Sequence, residues 1–244
     1  MFHAGLLTTQ QAPAIDWPQR MRNLAQTARD LRLRRFYAAG VAAGSTPLSE
    51  VPLLALDIET TGLDPDMDGI VSVGLVPMTL QTVHASRARQ WLLKPRVPLS
   101  DSAVKVHGIT HQQLDQAPDL DDVLADILDS MSGHVMVVHC RQIERGFLDT
   151  ALLRRLGETL AFPVVDTMAL EARWHRQPIP LWRRMFGRMP QAVSVRLTAS
   201  RERYNLPRYR LHHALTDALA TAELLQAQVA HHLDANTPIE QLWL

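Results

Sequence analysis

The sequence predicts an α/β fold, a mixed sheet of three antiparallel strands and then parallel strands, flanked by helices. Three observations carry this. A continuous apolar run at 51–56 stops abruptly in acids; two strand-type stretches, 70–80 and 82–93, follow across short turns; beyond them helical and strand-like patterns alternate.

Taken in order, residues 1–50 read as an N-terminal helical extension, with Met21, Leu24, Ala25, Ala28 and Leu31 at helical spacing within 16–36, then the small-residue stretch AAGVAAGSTP. The run 51–56 is a buried strand, and Asp57-Ile58-Glu59 at its exit lead into a Thr-Thr-Gly-Leu-Asp-Pro turn. Together with 70–80 and 82–93 it forms an antiparallel meander. In 118–131, Val123, Leu124, Ile127, Leu128 and Met131 share one helical face, while Asp121, Asp122, Asp126 and Asp129 form a solvated one. HVMVVH (134–139) is a strand, 143–156 a helix, 164–166 a short strand, 173–200 loops with short helices, and 212–230 an alanine-rich helix. The main domain spans 51–232, leaving a C-terminal tail at 233–244.

With 244 residues, 46% hydrophobic and 20% charged, the chain is expected to bury one substantial core rather than remain disordered. Its one cysteine, Cys140, excludes an internal disulfide and a cysteine zinc site, and fits a reducing cytoplasm. No run approaches the ~20 apolar residues of a membrane span, and the N-terminus lacks the pattern of a cleaved leader, so a cytoplasmic protein without a membrane partner is expected. The formal net charge is zero, yet Arg173 to Arg210 hold ten arginines and one acid, Glu202. Trp174, Trp182, Phe186, Tyr204 and Tyr209 are interleaved with them. Arginine with aromatic rings is the chemistry that holds phosphates and stacks on bases; the alternative is a solvated arginine-rich face.

Acids gather at element ends. Residues two apart on a strand share a face, so Asp57 and Glu59 project side by side. Glu144 stands near a helix start and Asp217 on the last helix. Like charges this close repel unless a cation lies between them, and hard oxygen ligands without Cys or clustered His select Mg²⁺ or Mn²⁺ over zinc.

At this point the sequence resembles a family. LALDIETTGLD (54–64) is similar to the first motif of the DnaQ-like 3′-to-5′ exonucleases of the DEDD superfamily, which includes the proofreading epsilon subunit of bacterial DNA polymerase III. VHGIT (106–110) is similar to the segment after their third strand, and HCRQIERGFL (139–148) resembles the second motif, usually His-Asn-Ala-x-Phe-Asp-x-x-Phe-Leu. Val165-Asp166-Thr167 resembles a later strand, and HHALTDA (212–218) the third motif, His-x-Ala-x-x-Asp-Ala. The match runs in order over about 51–228. It departs twice, with Glu144 where Asp is usual and Cys140 where Asn is usual. Glutamate keeps the carboxylate on a longer stem; Asp149, five residues along the helix, is rotated away from that face. Cys140 reads as a small filler.

The resemblance implies a ribonuclease H-like fold and hydrolysis of the terminal phosphodiester at a 3′ end, with Asp57, Glu59, Glu144 and Asp217 holding two Mg²⁺ or Mn²⁺ ions. His212 is the general base in the family register, although spacing alone prefers His213, four residues before Asp217. Thr60, Thr61, Gly62, Leu63 and His107 are the implied substrate contacts; on residue type alone, His107 and His139 read as structural, bonding buried backbone. The expected partner is the 3′ end of single-stranded DNA. An RNA exonuclease of the same superfamily and a catalytically silent binding domain are the alternatives. The tail's Gln-Leu-x-Leu (241–244) either folds back as a cap or resembles peptides that dock on the sliding clamp; a polymerase is a further expected partner.

Overall fold

The computed structural model describes residues 15–99, 101–175, 193–210 and 212–244. Its central strand is β1 (Leu53–Thr60), built from the apolar run that the sequence marks. β2 (Ile70–Met78) pairs antiparallel with β1, and β3 (Arg89–Leu92) antiparallel with β2. On the other side β4 (Val135–Val138) runs parallel to β1 and β5 (Val164–Asp166) parallel to β4, giving the order β3-β2-β1-β4-β5. The predicted third strand is shortened: Val83 bridges back to Met78 and residues 85–87 wind into a 3₁₀ turn, so the ladder begins only at Arg89.

The helices are α1 (Trp17–Thr27), α2 (Leu31–Ala38), α3 (Asp101–His107), α4 (His111–Asp115), α5 (Leu120–Met131), α6 (Arg141–Leu156), α7 (Thr167–His175), α8 (Leu197–Arg203) and α9 (Ala214–His232). The helical stretch expected over 16–36 is two helices. Ala28 is extended, and the Asp30 carboxylate accepts from the Arg32 and Leu33 amides, restarting the helix. Asp119 caps α5 in a reciprocal box with Asp122; Asp121 pairs with Arg32, while Asp126 and Asp129 face solvent.

Alternation along β1 sorts the core. Leu54, Leu56 and Ile58 pack with Val73, Leu75, Met136 and Val138 under α2, α5 and α6. Leu53 and Ala55 point the other way, joining Val76, Met78, Val135, Val137 and Val165 beneath Ala218, Ala222, Leu225 and Val229 of α9. Asp57 and Glu59 continue that second face beyond the apolar residues. Helix α9 approaches it closely at Gly74: a Cβ there would lie 2.5 Å from the Ala214 carbonyl carbon.

The tail folds back. Leu242 and Trp243 are buried in the same layer as Leu53, Trp243 bridges Val165, and the Leu244 amide donates to Val164 O. Leu48 donates to Thr237 O, Ile239 to Thr46 O and Glu240 to Gly44 O, so the stretch before β1 and the tail are laced together. The Arg145 guanidinium, 5.4 Å from the Trp17 ring, donates to the Phe162 and Leu244 carbonyls. Among the described residues no helix is long and apolar enough to cross a membrane.

Candidate functional site

The site is built where β1 runs out. Asp57 sits directly opposite Gly74 on β2, and with no side chain at Gly74 the start of α9 can settle over the strands and bring Asp217 alongside. Asp57, Glu59 and Asp217 each offer a carboxylate oxygen within 4.8 Å of the others. Between Glu59 and Thr60 the register slips, Thr60 facing Ile70, and the chain leaves the sheet.

Glu144 approaches from the other layer, on the first turn of α6, 3% exposed and close enough to raise the Asp57 carboxyl. It falls outside the tight threesome, and backbone amides at the start of its own helix favour its charged form. Its Oε2 is buried without a hydrogen-bond partner, as is Oδ1 of Asp217. Burial, then Glu144, Asp217 and Glu59, push the Asp57 carboxyl well above the usual range. Burial and Asp217 raise Glu59 to about 7. Burial, with Asp166 adding to it, raises Glu144 to about 8 against those amides. Asp217 is also raised by burial, held back by the His212 amide. Converging, destabilised carboxylates with orphaned buried oxygens are a donor set that fits a hard divalent cation.

The histidines divide. Helix α9 begins at Ala214, with His213 as its N-cap, so neither His212 nor His213 lies on the helix and the four-residue spacing that favoured His213 does not apply. His212 stands in the left-handed region, φ 68°, its amide donating to Asp217 Oδ2 at 2.8 Å and its side chain exposed beside the cluster. His107 is 8% exposed; its Nδ1 accepts from the Ile109 amide, which leaves the proton on Nε2, a buried donor without a partner. Burial and the neighbouring His212 hold His107 below the usual range, hence neutral. His139 is structural, bonded to Thr167 Oγ1 and the Val195 carbonyl.

The turn 61–69 is organised by a residue that motif reading passed over. Asp68 accepts from Thr61 Oγ1 and the Asp64 amide, and a Cβ on Gly62 would lie 2.3 Å from its Oδ2. Thr60 Oγ1 donates to the Gly62 carbonyl, Thr61 is buried, and Leu63 stands 83% exposed at the tip. The only sequence signal was one more acid in an acidic turn. Asp166, marked only within Val165-Asp166-Thr167, was given no role: buried beside Glu144, it accepts from the amides of Arg141 and Ala169 and pairs with the Arg141 side chain, joining the starts of α6 and α7. Cys140 is the half-buried N-cap of α6, and Asp149 accepts from the Leu160 amide away from the site.

The arginine-rich stretch is only partly free to hold a strand. Arg176, Arg183, Arg184, Arg188, Trp182 and Phe186 lie outside the described residues. Arg201 is buried on Glu223 and on the carbonyls of Ala220 and Pro207, and Arg203 is spent on the fully buried Glu171, because clustered guanidinium groups also satisfy interior acids. These two are corrections to the strand-holding reading. Arg173, Arg196, Arg208 and Arg210 remain exposed.

Comparison with known proteins agrees with this geometry. The RNase_T exonuclease family model matches residues 54–225. A DNA polymerase III PolC-type protein of Thermotoga petrophila is 28% identical over 171 residues, 70% of this chain and 11% of the relative. A DNA polymerase III subunit epsilon-like protein of Rhodobacter capsulatus is 30% identical over 183 residues, 75% of this chain and 24% of the relative. The chain thus spans at most about a quarter of these two relatives. Among solved structures, the nuclease domain of 3′hExo, a DEDDh family member bound to rAMP, superposes with TM-score 0.61 at 19% identity over 74% of this chain and 92% of that one. The fold is ribonuclease H-like.

Proposed function

The chain belongs to the RNase_T exonuclease family, and on that footing we propose that it is a metal-dependent 3′-to-5′ exonuclease that releases 5′-mononucleotides from single-stranded DNA, serving proofreading or repair. The observation that supports this best is the convergence of Asp57, Glu59 and Asp217 within 4.8 Å, with His212 bonded through its amide to the same Asp217. The DNA polymerase III relatives favour DNA over RNA.

Asp57, Glu59 and Asp217 would hold two Mg²⁺ or Mn²⁺ ions, with Glu144 completing the set. When bound, such ions lower the pKa of an attacking water and stabilise the leaving 3′ oxygen. His212 takes the proton from that water, a task suited to imidazole because its ordinary pKa lies near neutrality. Its hydrogen-bonded amide ties the base to the ligand helix, so both move together. His107 offers Nε2–H to the substrate, and its buried ring, braced by the Ile109 amide, fixes that donor's direction. Thr60 to Leu63 receive the terminal nucleotide, Leu63 bearing on its base.

Matched single-stranded DNA and RNA oligomers, labelled at either end and incubated with Mg²⁺ or Mn²⁺, test the reading. Mononucleotides released first from the 3′ end of DNA are expected. Preference for RNA would transfer the activity to that substrate, release from the 5′ end would overturn the polarity, and no release with either ion would leave a binding domain only.

A further inference from the structure

Against α9, Thr198, Arg201, Glu202 and residues 206–209 line a partly open hollow that no step above uses. We propose that it is a second nucleobase site, holding a base of the same strand upstream of the terminal nucleotide; this rests on the exonuclease reading and extends it.

The first argument is rigidity. Arg201, 3% exposed, forms the floor, donating to Ala220 O and Pro207 O and pairing with Glu223, while its guanidinium lies 4.7 Å from the Tyr209 ring centroid. The Tyr209 hydroxyl donates to the same Glu223. Asn205 turns the chain with φ 55°, and the Leu206 amide donates back to Arg201 O. A loop fastened at both of its sides to α8 and α9 is preorganised, so a ligand would not have to order it.

The second argument is chemistry. Leu206, Pro207 and Tyr209 give apolar and aromatic walls, the lining on which any base can stack. Thr198 and Glu202 supply hydrogen-bonding groups at the rim. Arg208, its side chain 82% exposed, pairs at the rim with the half-exposed Glu202, a contact weak enough for a phosphate to displace. Arg210 is exposed next to it.

The third argument is position. Tyr209 precedes His212 by three residues, at most ~11 Å of chain, and Ala220 lies one turn beyond Asp217 on α9. A strand with its 3′ end over the acids passes this hollow if it runs along the α9 side.

The test scans an oligodeoxynucleotide with one abasic residue moved stepwise from the 3′ end, its binding to the full-length Asp57→Asn protein followed by fluorescence anisotropy. Weaker binding is expected when the terminal base is removed, and a separate loss of roughly 5- to 100-fold at one upstream position. Thr198→Trp, which fills the hollow from an exposed helical position, should erase the upstream loss and keep the terminal one; Arg208→Glu serves if that variant does not fold. Terminal loss without an upstream one overturns the second site and leaves the exonuclease reading standing. No loss at any position overturns the second site and the contact of Leu63 with the terminal base, while the release assay alone decides the exonuclease reading. An upstream loss that persists undiminished in the Thr198 and Arg208 variants also overturns it.

Discussion

At Asp57 the fold holds a carboxyl that it disfavours in its charged form, and this has a measurable sign. Glu144 at about 8 and Glu59 at about 7 lie above the ordinary 4.5, so folding favours their protonated forms and the stability they lend is lost as pH rises through those values. Above pH ~7.5, His107, His139 and His232, all depressed by burial, are neutral folded or unfolded, and the arginine-paired Asp30 and Asp119 are charged in both states. The raised carboxyls of the cluster then set the sign. The metal-free protein should therefore lose melting temperature between about pH 7.5 and 8, where Glu144 still titrates and the histidines no longer do, and saturating Mg²⁺ should remove the fall; calorimetry in chelator and in Mg²⁺ would show it, and a metal-free profile that rises there would contradict the cluster's electrostatics. Asp57→Asn should melt higher without metal, each ~1 kcal/mol regained adding about 2–4 °C, yet hydrolyse nothing.

His212 invites a paired substitution at the same scale. Its left-handed backbone costs a non-glycine residue roughly 1 kcal/mol, so His212→Gly should be at least as stable as the parent while losing ~10² to 10⁴ in kcat. Equal turnover in that variant would move the base elsewhere, with His213→Ala the next to assay. Sequence spacing alone preferred His213 and the family register His212; the spacing argument assumed a helix already formed at 213, whereas α9 starts only at Ala214. The roles of Asp68 and Asp166 were illegible because each is held partly by main-chain amides, which leave no residue-type signature, and partly by a side chain elsewhere in the sequence.

Among elements, the junction of α9 with β2 decides whether the acids meet. Gly74→Ala would set a methyl 2.5 Å from the Ala214 carbonyl carbon, displacing the start of α9 and Asp217 with it. Activity should fall by more than tenfold and Mn²⁺ affinity by titration calorimetry should weaken; a fully active variant would mean that the helix can give way there without moving its carboxylate. The meander, β4, α5 and α6 were readable because apolar period and caps agree along each of them. The break at Ala28 was not, because a capping Asp30 inside an otherwise helical pattern competes with propensity. Nor was the late start of β3, where alternation continues through residues that curl into a 3₁₀ turn.

For the whole molecule, the segments on either side of the central domain behave as one structural unit with it. Trp17 and Trp243 are both 5% exposed or less and share a layer with β1, so removing residues 239–244 should lower the melting temperature by several degrees. Unchanged melting would show that the tail is dispensable and would revive the clamp-docking peptide, which in this structure would first have to unpack Leu242 and Trp243.

The contact of Trp243 and Leu244 with β5 has one more consequence. β5 is the outer strand of the sheet, and an outer strand offers its unpaired amides and carbonyls to any neighbouring chain. By bridging Val165 and donating to Val164, the tail blunts that rim. A shortened chain should then be not only less stable but stickier, pairing rim to rim, with light scattering that grows with concentration well below its melting temperature.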